Sequence, residues 1–178
     1  VHESGDIYMD EYEGWYSISE ERFITEKELD SGQFGEVKQI KEKNYFFRMS
    51  KYQATLIDKI EKDEFLIQPK SRKNEVLGFL KNELSDLCIS RPKSRLEWGI
   101  ELPFDDNYVT YVWFDALINY ISAIGAYSND EQFSSLWPAD VHLIGKDILT
   151  THSVYWPTML LSLGLPLPQR IFAHGWWL

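Results

Sequence analysis

This sequence of 178 residues predicts an α/β fold with a parallel β layer in its second half and a small α+β part ahead of it. Three observations carry that expectation. The strand-like run Val141-His142-Leu143-Ile144 passes through Gly145-Lys146-Asp147 into a helical pattern over 148–163 and returns as an extended run over 169–173. Strand, turn, helix, loop, strand is a βαβ crossover, which pairs its two strands in parallel. Just after Val112 the apolar period lengthens to three and four, the mark of a strand feeding a helix. The charge is also uneven: residues 1–94 carry 15 basic and 19 acidic groups, and residues 95–178 carry 3 and 9. The two halves therefore differ in kind.

Short strand-like segments open the chain at 6–9, 14–17 and 44–48. Glycine and charged turns separate them, so they read as a small antiparallel sheet. A helix opened by Ser50 follows, with Tyr52, Leu56, Ile57 and Ile60 on one stripe. Pro69 separates it from a second, opened by Ser71, with Val76, Leu77, Leu80 and Leu84. Arg91-Pro92 ends the helical pattern, and extended runs over 96–102 and 108–112 flank Asp105-Asp106-Asn107, which has turn composition. Trp113, Ala116, Leu117, Tyr120, Ile121 and Ile124 then recur at helical spacing, with Gly125 as a stop. Pro157 should kink the helix over 148–163.

Composition excludes several classes. At 44% hydrophobic and 15% aromatic the chain is too apolar to stay disordered. A formal charge of −10 repels phosphate at long range, which excludes a generic nucleic-acid coat and confines any such contact to a local patch. Residues 38–73, with 10 basic against 5 acidic groups and Tyr45, Phe46, Phe47 and Tyr52 interleaved, read either as a solvated helical face or as a patch for a nucleic-acid end. The single cysteine, Cys88, permits no internal disulfide and suits a reducing compartment; cytoplasm is expected. No run approaches the ~20 apolar residues of a membrane span and no leader pattern is visible, so no membrane partner is expected. The apolar run closing on Trp176, Trp177 and Leu178 reads as interrupted, which points to a fragment.

Chemistry is expected where parallel strands end. Gly145 lets the backbone turn or approach a ligand closely, Lys146 offers a compact cation for phosphate, and Asp147 can hold a ribose hydroxyl or ammonium. The plainer reading makes Asp147 a helix cap and Lys146 a solvated side chain. Ile148, His152 and Trp156, at steps of four, share one helix face, and Trp113, Ala116 and Tyr120 share another, with Ala116 leaving a gap between two rings. If the faces meet, they form an aromatic slot suited to a small apolar group with polar handles. A thioether gains about 0.3–1.5 kcal/mol against ring edges. The alternative is that both stripes are ordinary core and His152 a satisfied buried histidine. Arg91 can grip a phosphate or carboxylate, or pair with a neighbouring acid such as Asp115.

Taken together, Gly5-Asp6-Ile7-Tyr8, Tyr12-Glu13-Gly14-Trp15-Tyr16-Ser17, Tyr45-Phe46-Phe47-Arg48, Ser90-Arg91-Pro92, Tyr111-Val112-Trp113-Phe114-Asp115-Ala116-Leu117, His142-Leu143-Ile144-Gly145-Lys146-Asp147 and His174-Gly175-Trp176-Trp177 resemble the methionyl-tRNA synthetases of bacterial or organellar type, over essentially the whole chain. The resemblance implies two units, a connective insertion over 1–90 and the second half of a Rossmann-like catalytic domain over 91–178. It implies ATP with Mg2+, methionine and tRNA(Met) as partners. It assigns Trp113, Ala116, Leu117, Tyr120, Ile148, His152 and Trp156 to the methionine pocket, Gly145, Lys146, His174 and Gly175 to the ATP side, and Asp147 and Arg91 to the reacting centre. Leu117 stands where some relatives have proline. The family's HIGH-type and KMSKS-type motifs and its anticodon-binding domain are not in this sequence, so the segment alone is expected to be inactive. The stretch 17–20 lacks the CxxC pairs of the zinc knuckle that many relatives carry, so no zinc is expected. Synthetases for leucine, isoleucine or valine share the architecture but carry a large editing insertion. An aromatic peptide-binding module is the alternative from another class.

Overall fold

In the computed structural model, which describes residues 1–17, 22–24, 29 and 35–176, the chain opens as a long antiparallel ladder. Strand β1 (Ile7–Ser17) pairs with β2 (Arg22–Ile24) and, along its full length, with β3 (Val37–Phe47). The two separate segments expected at 6–9 and 14–17 are thus one strand. The acidic stretch between them stays in the ladder because lysines face it: Glu11 opposes Lys43 and Glu13 opposes Lys41, with Lys41 Nζ 3.5 Å from Glu11. Opposite charges across a strand pair favour pairing where the same residues alone suggest a turn.

A 3-10 turn (Met49–Tyr52) leads into α1 (Gln53–Glu61), then β4 (Leu66–Gln68), α2 (Lys70–Phe79) and β5 (Leu87–Cys88). Leu56, Ile60, Val76 and Leu80 are buried, as their stripes require, and Leu84 is buried beyond the helix end. The expected openers are corrected. Tyr52, not Ser50, precedes α1, and the Ser50 amide donates to Asp86 Oδ1 at 3.0 Å. Pro69, not Ser71, precedes α2, where its fixed φ suits entry into a first turn. Strand β5 adds to β3.

Strands β6 (Ser90–Pro92), β7 (Glu101–Leu102) and β8 (Asp105–Thr110) form a second antiparallel sheet in the order β6-β8-β7. Its hairpin turns at Pro103-Phe104, with Leu102 opposite Asp105, not at 105–107 as composition suggested. Asp105 is held in the strand because its carboxylate accepts from Tyr45 Oη at 2.9 Å and from the Asn107 amide at 3.0 Å. Of the run expected over 96–102, only 101–102 is strand. The helix expected from Val112 to Gly125 is two short pieces, α3 (Val112–Ala116) and α4 (Asn119–Ser122), with Gly125 at φ +97 beyond them.

After α5 (Asp130–Leu136), β9 (His142–Gly145) runs through a 3-10 turn (Lys146–Ile148) and a π-helical turn (Thr151–Tyr155) into α6 (Trp156–Ser162), and β10 (Arg170–His174) closes the crossover. Strands β9 and β10 are parallel, as expected. In place of the kink expected at Pro157, the structure has the π turn ending at Tyr155, two residues ahead of it, and Pro157 in the first turn of α6, where a missing N–H costs no ladder bond. β4, inside the first 90 residues, is also parallel to β10, giving the order β4-β10-β9, so the two expected units share a sheet. They share a core as well, in which Phe47, Leu56 and Phe65 join Leu117, Trp156 and Ile171. The outer face of the parallel layer presents Leu143 and its register partner Phe172, 70% and 40% exposed.

One polar knot ties the start of β1 to the end of α6. Buried Asp6 accepts from Lys51 Nζ at 2.6 Å, from Ser162 Oγ at 2.7 Å and from the Tyr52 hydroxyl. Burial alone would raise its pKa, but these donors outweigh it and hold the carboxyl at about 2. Asp6→Asn leaves Lys51, Tyr52 or Ser162 short of an acceptor and is expected to cost about 1–3 kcal/mol, read as a lower urea midpoint with an unchanged m-value.

Candidate functional site

Five rings meet on the inner face of the crossover. Tyr120 comes from α4, Trp137 follows α5, His142 opens β9, His152 lies in the π turn and Trp156 begins α6. The Tyr120 ring lies 4.4 Å from that of His142, 5.6 Å from that of His152 and 5.9 Å from that of Trp156. Trp137 packs from behind, its ring 6.1 Å from those of both His142 and Trp156, with its indole N–H donating to the Pro166 carbonyl at 2.9 Å. Trp156 and His152 are buried, whereas Tyr120 is 37% exposed and forms the accessible side of the group.

Hydrogen bonds fix the protons. His152 Nδ1 lies 2.9 Å from the Ile148 carbonyl oxygen, which only accepts, so Nδ1 carries a proton. Burial lowers the His152 pKa, which keeps the ring neutral, and Nε2 then accepts from the Tyr120 hydroxyl at 2.9 Å. On His142, Nε2 accepts from the Trp156 indole N–H at 3.2 Å. Burial, reinforced by His152, pushes its pKa down to about 4. The Tyr120 phenol is raised by burial and stays protonated. The cluster holds two imidazoles and a phenol yet carries no formal charge near pH 7, an environment that disfavours a charged guest and suits an apolar one.

The structure brings Tyr120, His152 and Trp156 together as the stripes predicted, but it separates Trp113 from them. Trp113 lines a different hollow, a cavity of about 680 Å³ walled by Arg91, Arg95, Trp98, Tyr111 and Asp115. Trp113 and Tyr120 are seven residues apart and would share a face of a regular α-helix; Leu117 and Ile118 keep right-handed helical dihedrals, but the bonds at Ile118, Tyr120 and Ile121 run i→i−3, a tighter winding that shifts that phase. Ala116 is exposed, Ile148 half-buried, and Leu117 lies in the core at 1% exposure. Buried Arg91 donates to the Ser90 carbonyl at 2.7 Å and to Cys88 Sγ at 3.2 Å, and its guanidinium lies 5.1 Å from the centre of the Tyr111 ring.

The Gly145–Asp147 and His174–Gly175 segments meet at the carboxyl edge of the parallel layer, where Gly145 and His174 are register partners. Gly145 has ordinary extended dihedrals, so left-handed freedom is not its reason; a Cβ there would collide with the Asp147 carboxylate. Asp147 is exposed and makes no helix-capping bond, which corrects the capping expectation. Lys146 Nζ lies 5.2 Å from the centre of the Trp176 ring, and His174 Nδ1 donates to the Gly175 carbonyl at 2.6 Å.

His142 stands in the His142–Asp147 motif but outside the site residues expected from the sequence. Strand alternation was the available signal, since it turns His142 inward with Ile144 and Leu143 outward. Trp137 lies outside the expected site although its spacing was a signal, since Phe133, four residues earlier, stacks on it at 6.2 Å. Among the described residues no group of three or more His, Cys, Asp or Glu is placed to hold a metal ion; residues 18–20, where the zinc-knuckle reading fell, lie outside them. No helix among the described residues is long and apolar enough to cross a membrane.

A parallel layer with Gly-Lys and His-Gly segments at its carboxyl edge, beside an uncharged aromatic cluster, defines an open α/β domain, the class of fold that binds ligands beyond its strand ends. The chain belongs to the family of class I tRNA synthetases (M), whose model matches residues 30–178. It is 52% identical over 181 residues to the methionine–tRNA ligase of Clostridium acetobutylicum and 48% identical over 191 residues to that of Bacillus subtilis, with 98% of this chain and 28% of each relative aligned. The crystal structure of Mycobacterium tuberculosis methionyl-tRNA synthetase bound by methionyl-adenylate superposes with a TM-score of 0.87 at 44% identity, covering 98% of this chain and 36% of that one. The chain therefore spans about 28% of the length of the curated relatives, and its fold is the Rossmann-like α/β fold of class I synthetases.

Proposed function

We propose that this chain is part of a methionine–tRNA ligase, contributing the methionine pocket and one wall of the ATP site to an enzyme that charges tRNA(Met) in the cytoplasm. The superposition on a methionyl-adenylate complex along almost the whole chain carries this reading, and the uncharged cluster of Tyr120, His142, His152 and Trp156 supports it independently. Methionine is the unbranched, uncharged side chain that such rings favour. The side chain enters from the half-exposed Tyr120 side next to Ile148 and Ala116, with core Leu117 behind; Trp113, which lines the cavity of about 680 Å³, would have to turn towards Tyr120 to close the pocket. The nucleotide lies along the carboxyl edge, where Gly145 and Gly175 admit the backbone closely, Lys146 faces phosphate and His174 the base. Magnesium is expected to travel on the nucleotide phosphates.

The reaction joins a methionine carboxylate oxygen to the α-phosphorus while pyrophosphate leaves. The methionyl group then passes to a terminal hydroxyl of the tRNA, releasing AMP. Positioning and charge compensation by Lys146 and Arg91, with Asp147 orienting ribose and ammonium, are the contributions available from this chain. Because β4, α1 and α2 belong to the parallel layer and its core, the connective part proper is the ladder of β1, β2, β3 and β5. In the full-length enzyme, His152→Ala or Trp113→Ala is expected to raise the KM for methionine at least about tenfold with little change in the KM for ATP. Methionine-dependent ATP–pyrophosphate exchange reads this directly, and unchanged methionine kinetics in both variants would remove them from the pocket. A leucine or isoleucine preference would replace the substrate assignment.

A further inference from the structure

His142 touches three aromatic side chains of the cluster and accepts the indole N–H of Trp156 at 3.2 Å. Its ring lies 4.4 Å from that of Tyr120, 6.1 Å from Trp137 and 6.5 Å from His152. It opens β9, the strand whose other end carries Gly145, so its backbone is set by the parallel pairing of His142 with Ile171. Trp156, in contrast, stands at the junction between a π turn and α6, where the helical ladder is irregular. Its buried indole N–H finds its acceptor outside the helix. The sheet supplies that acceptor through His142.

We propose that His142 is a positioning residue for amino-acid selection: by accepting the Trp156 indole N–H and backing the Tyr120 ring, it holds the two rings in the orientation that receives an uncharged, unbranched side chain. It acts through Trp156 and Tyr120 rather than on the reacting atoms. Burial keeps the imidazole neutral, so Nε2 remains an acceptor and the pocket wall uncharged. The inference rests on the methionine-ligase reading of the same site and adds to it a residue outside the expected pocket set. The faces of His142 are accounted for by Tyr120, Trp137, His152 and Trp156, none of which bears a fixed charge.

The test uses the full-length enzyme and methionine-dependent ATP–pyrophosphate exchange. Loss of the indole bond in His142→Leu is expected to raise the KM for methionine about tenfold while kcat and the KM for ATP change by less than about twofold. His142→Gln, which keeps an acceptor near the Nε2 position, is expected to restore most of the affinity. His142→Asn, too short to reach Trp156, should resemble His142→Leu and replaces it if the leucine variant does not fold. In a Trp156→Phe background, where there is no indole N–H to hold, His142→Asn should add little further loss. Wild-type methionine KM in the Asn and Leu variants, equal impairment of Gln and Asn, or full additivity with Trp156→Phe would each overturn the role of His142. Absence of methionine-dependent exchange in the wild-type enzyme would instead overturn the ligase reading.

Discussion

Trp156→Ala is expected to lower stability by about 3–5 kcal/mol, the range for truncating a large buried aromatic to alanine, and to abolish methionine selection in whatever enzyme remains folded. Trp156 has no exposed surface, packs edge-on against Trp137 and lies beside Tyr120. Its removal opens a void that rigid neighbours cannot fill. The strands β9 and β10 fix one wall, and the π turn ahead of α6 fixes another. It also leaves His142 Nε2 without its donor. Urea unfolding and methionine-dependent exchange on the same preparation separate the two losses. Trp156→Phe retains most of the volume, so it should recover much of the stability but not the bond to His142. If Trp156→Ala unfolds within about 1 kcal/mol of the wild type, the indole is not the centre of this core.

How much of this site was legible in the sequence depends on whether local spacing survived into the structure. His152 and Trp156 were brought together because four residues span about one turn whether the helix is α or slightly wider, so the stripe tolerated the π turn. Trp113 and Tyr120 were not, because a seven-residue relation needs regular α winding throughout, and between α3 and α4 the bonds tighten to i→i−3. The βαβ crossover was legible from its punctuation, Gly145 at one end and Gly164 with its neighbouring prolines at the other. β4 was not: three residues are too few to show alternation, and their place in the sheet is set by pairing with β10, which lies more than a hundred residues later. The turn at Pro103-Phe104 defeated composition for a related reason. Asp105 and Asn107 favour turns in isolation, but Tyr45, from a different sheet, gives Asp105 a partner that keeps it in the strand. The His142 bond to Trp156 joins a strand to a helix fourteen residues on, a contact no periodicity encodes.

Acidification should weaken the protein well above the carboxylate range, and the sign follows from the two histidines. His142 has a pKa near 4 when folded against an ordinary value of 6.5, so between those limits the unfolded chain binds a proton that the folded chain refuses. Stability then rises with pH across the window and falls as pH drops from 6.5 towards 4. His152, lowered by burial, contributes with the same sign. For His142 the loss at pH 5 is about 1–2 kcal/mol after allowance for partial solvent screening. Asp6 acts later, because its carboxyl is held at about 2 against 3.8, so its contribution is intact at pH 5 and disappears only as pH falls through that lower window. Urea midpoints measured between pH 7.5 and 4.5 should therefore decline from about pH 6.5, and His142→Gln, having no group to protonate, should flatten the decline. The same protonation would place a cation against the Trp156 indole N–H, where an acceptor is required, so affinity for an uncharged amino-acid side chain should fall in step with stability. A flat midpoint down to pH 5 would show that the His142 ring is not held neutral by its surroundings.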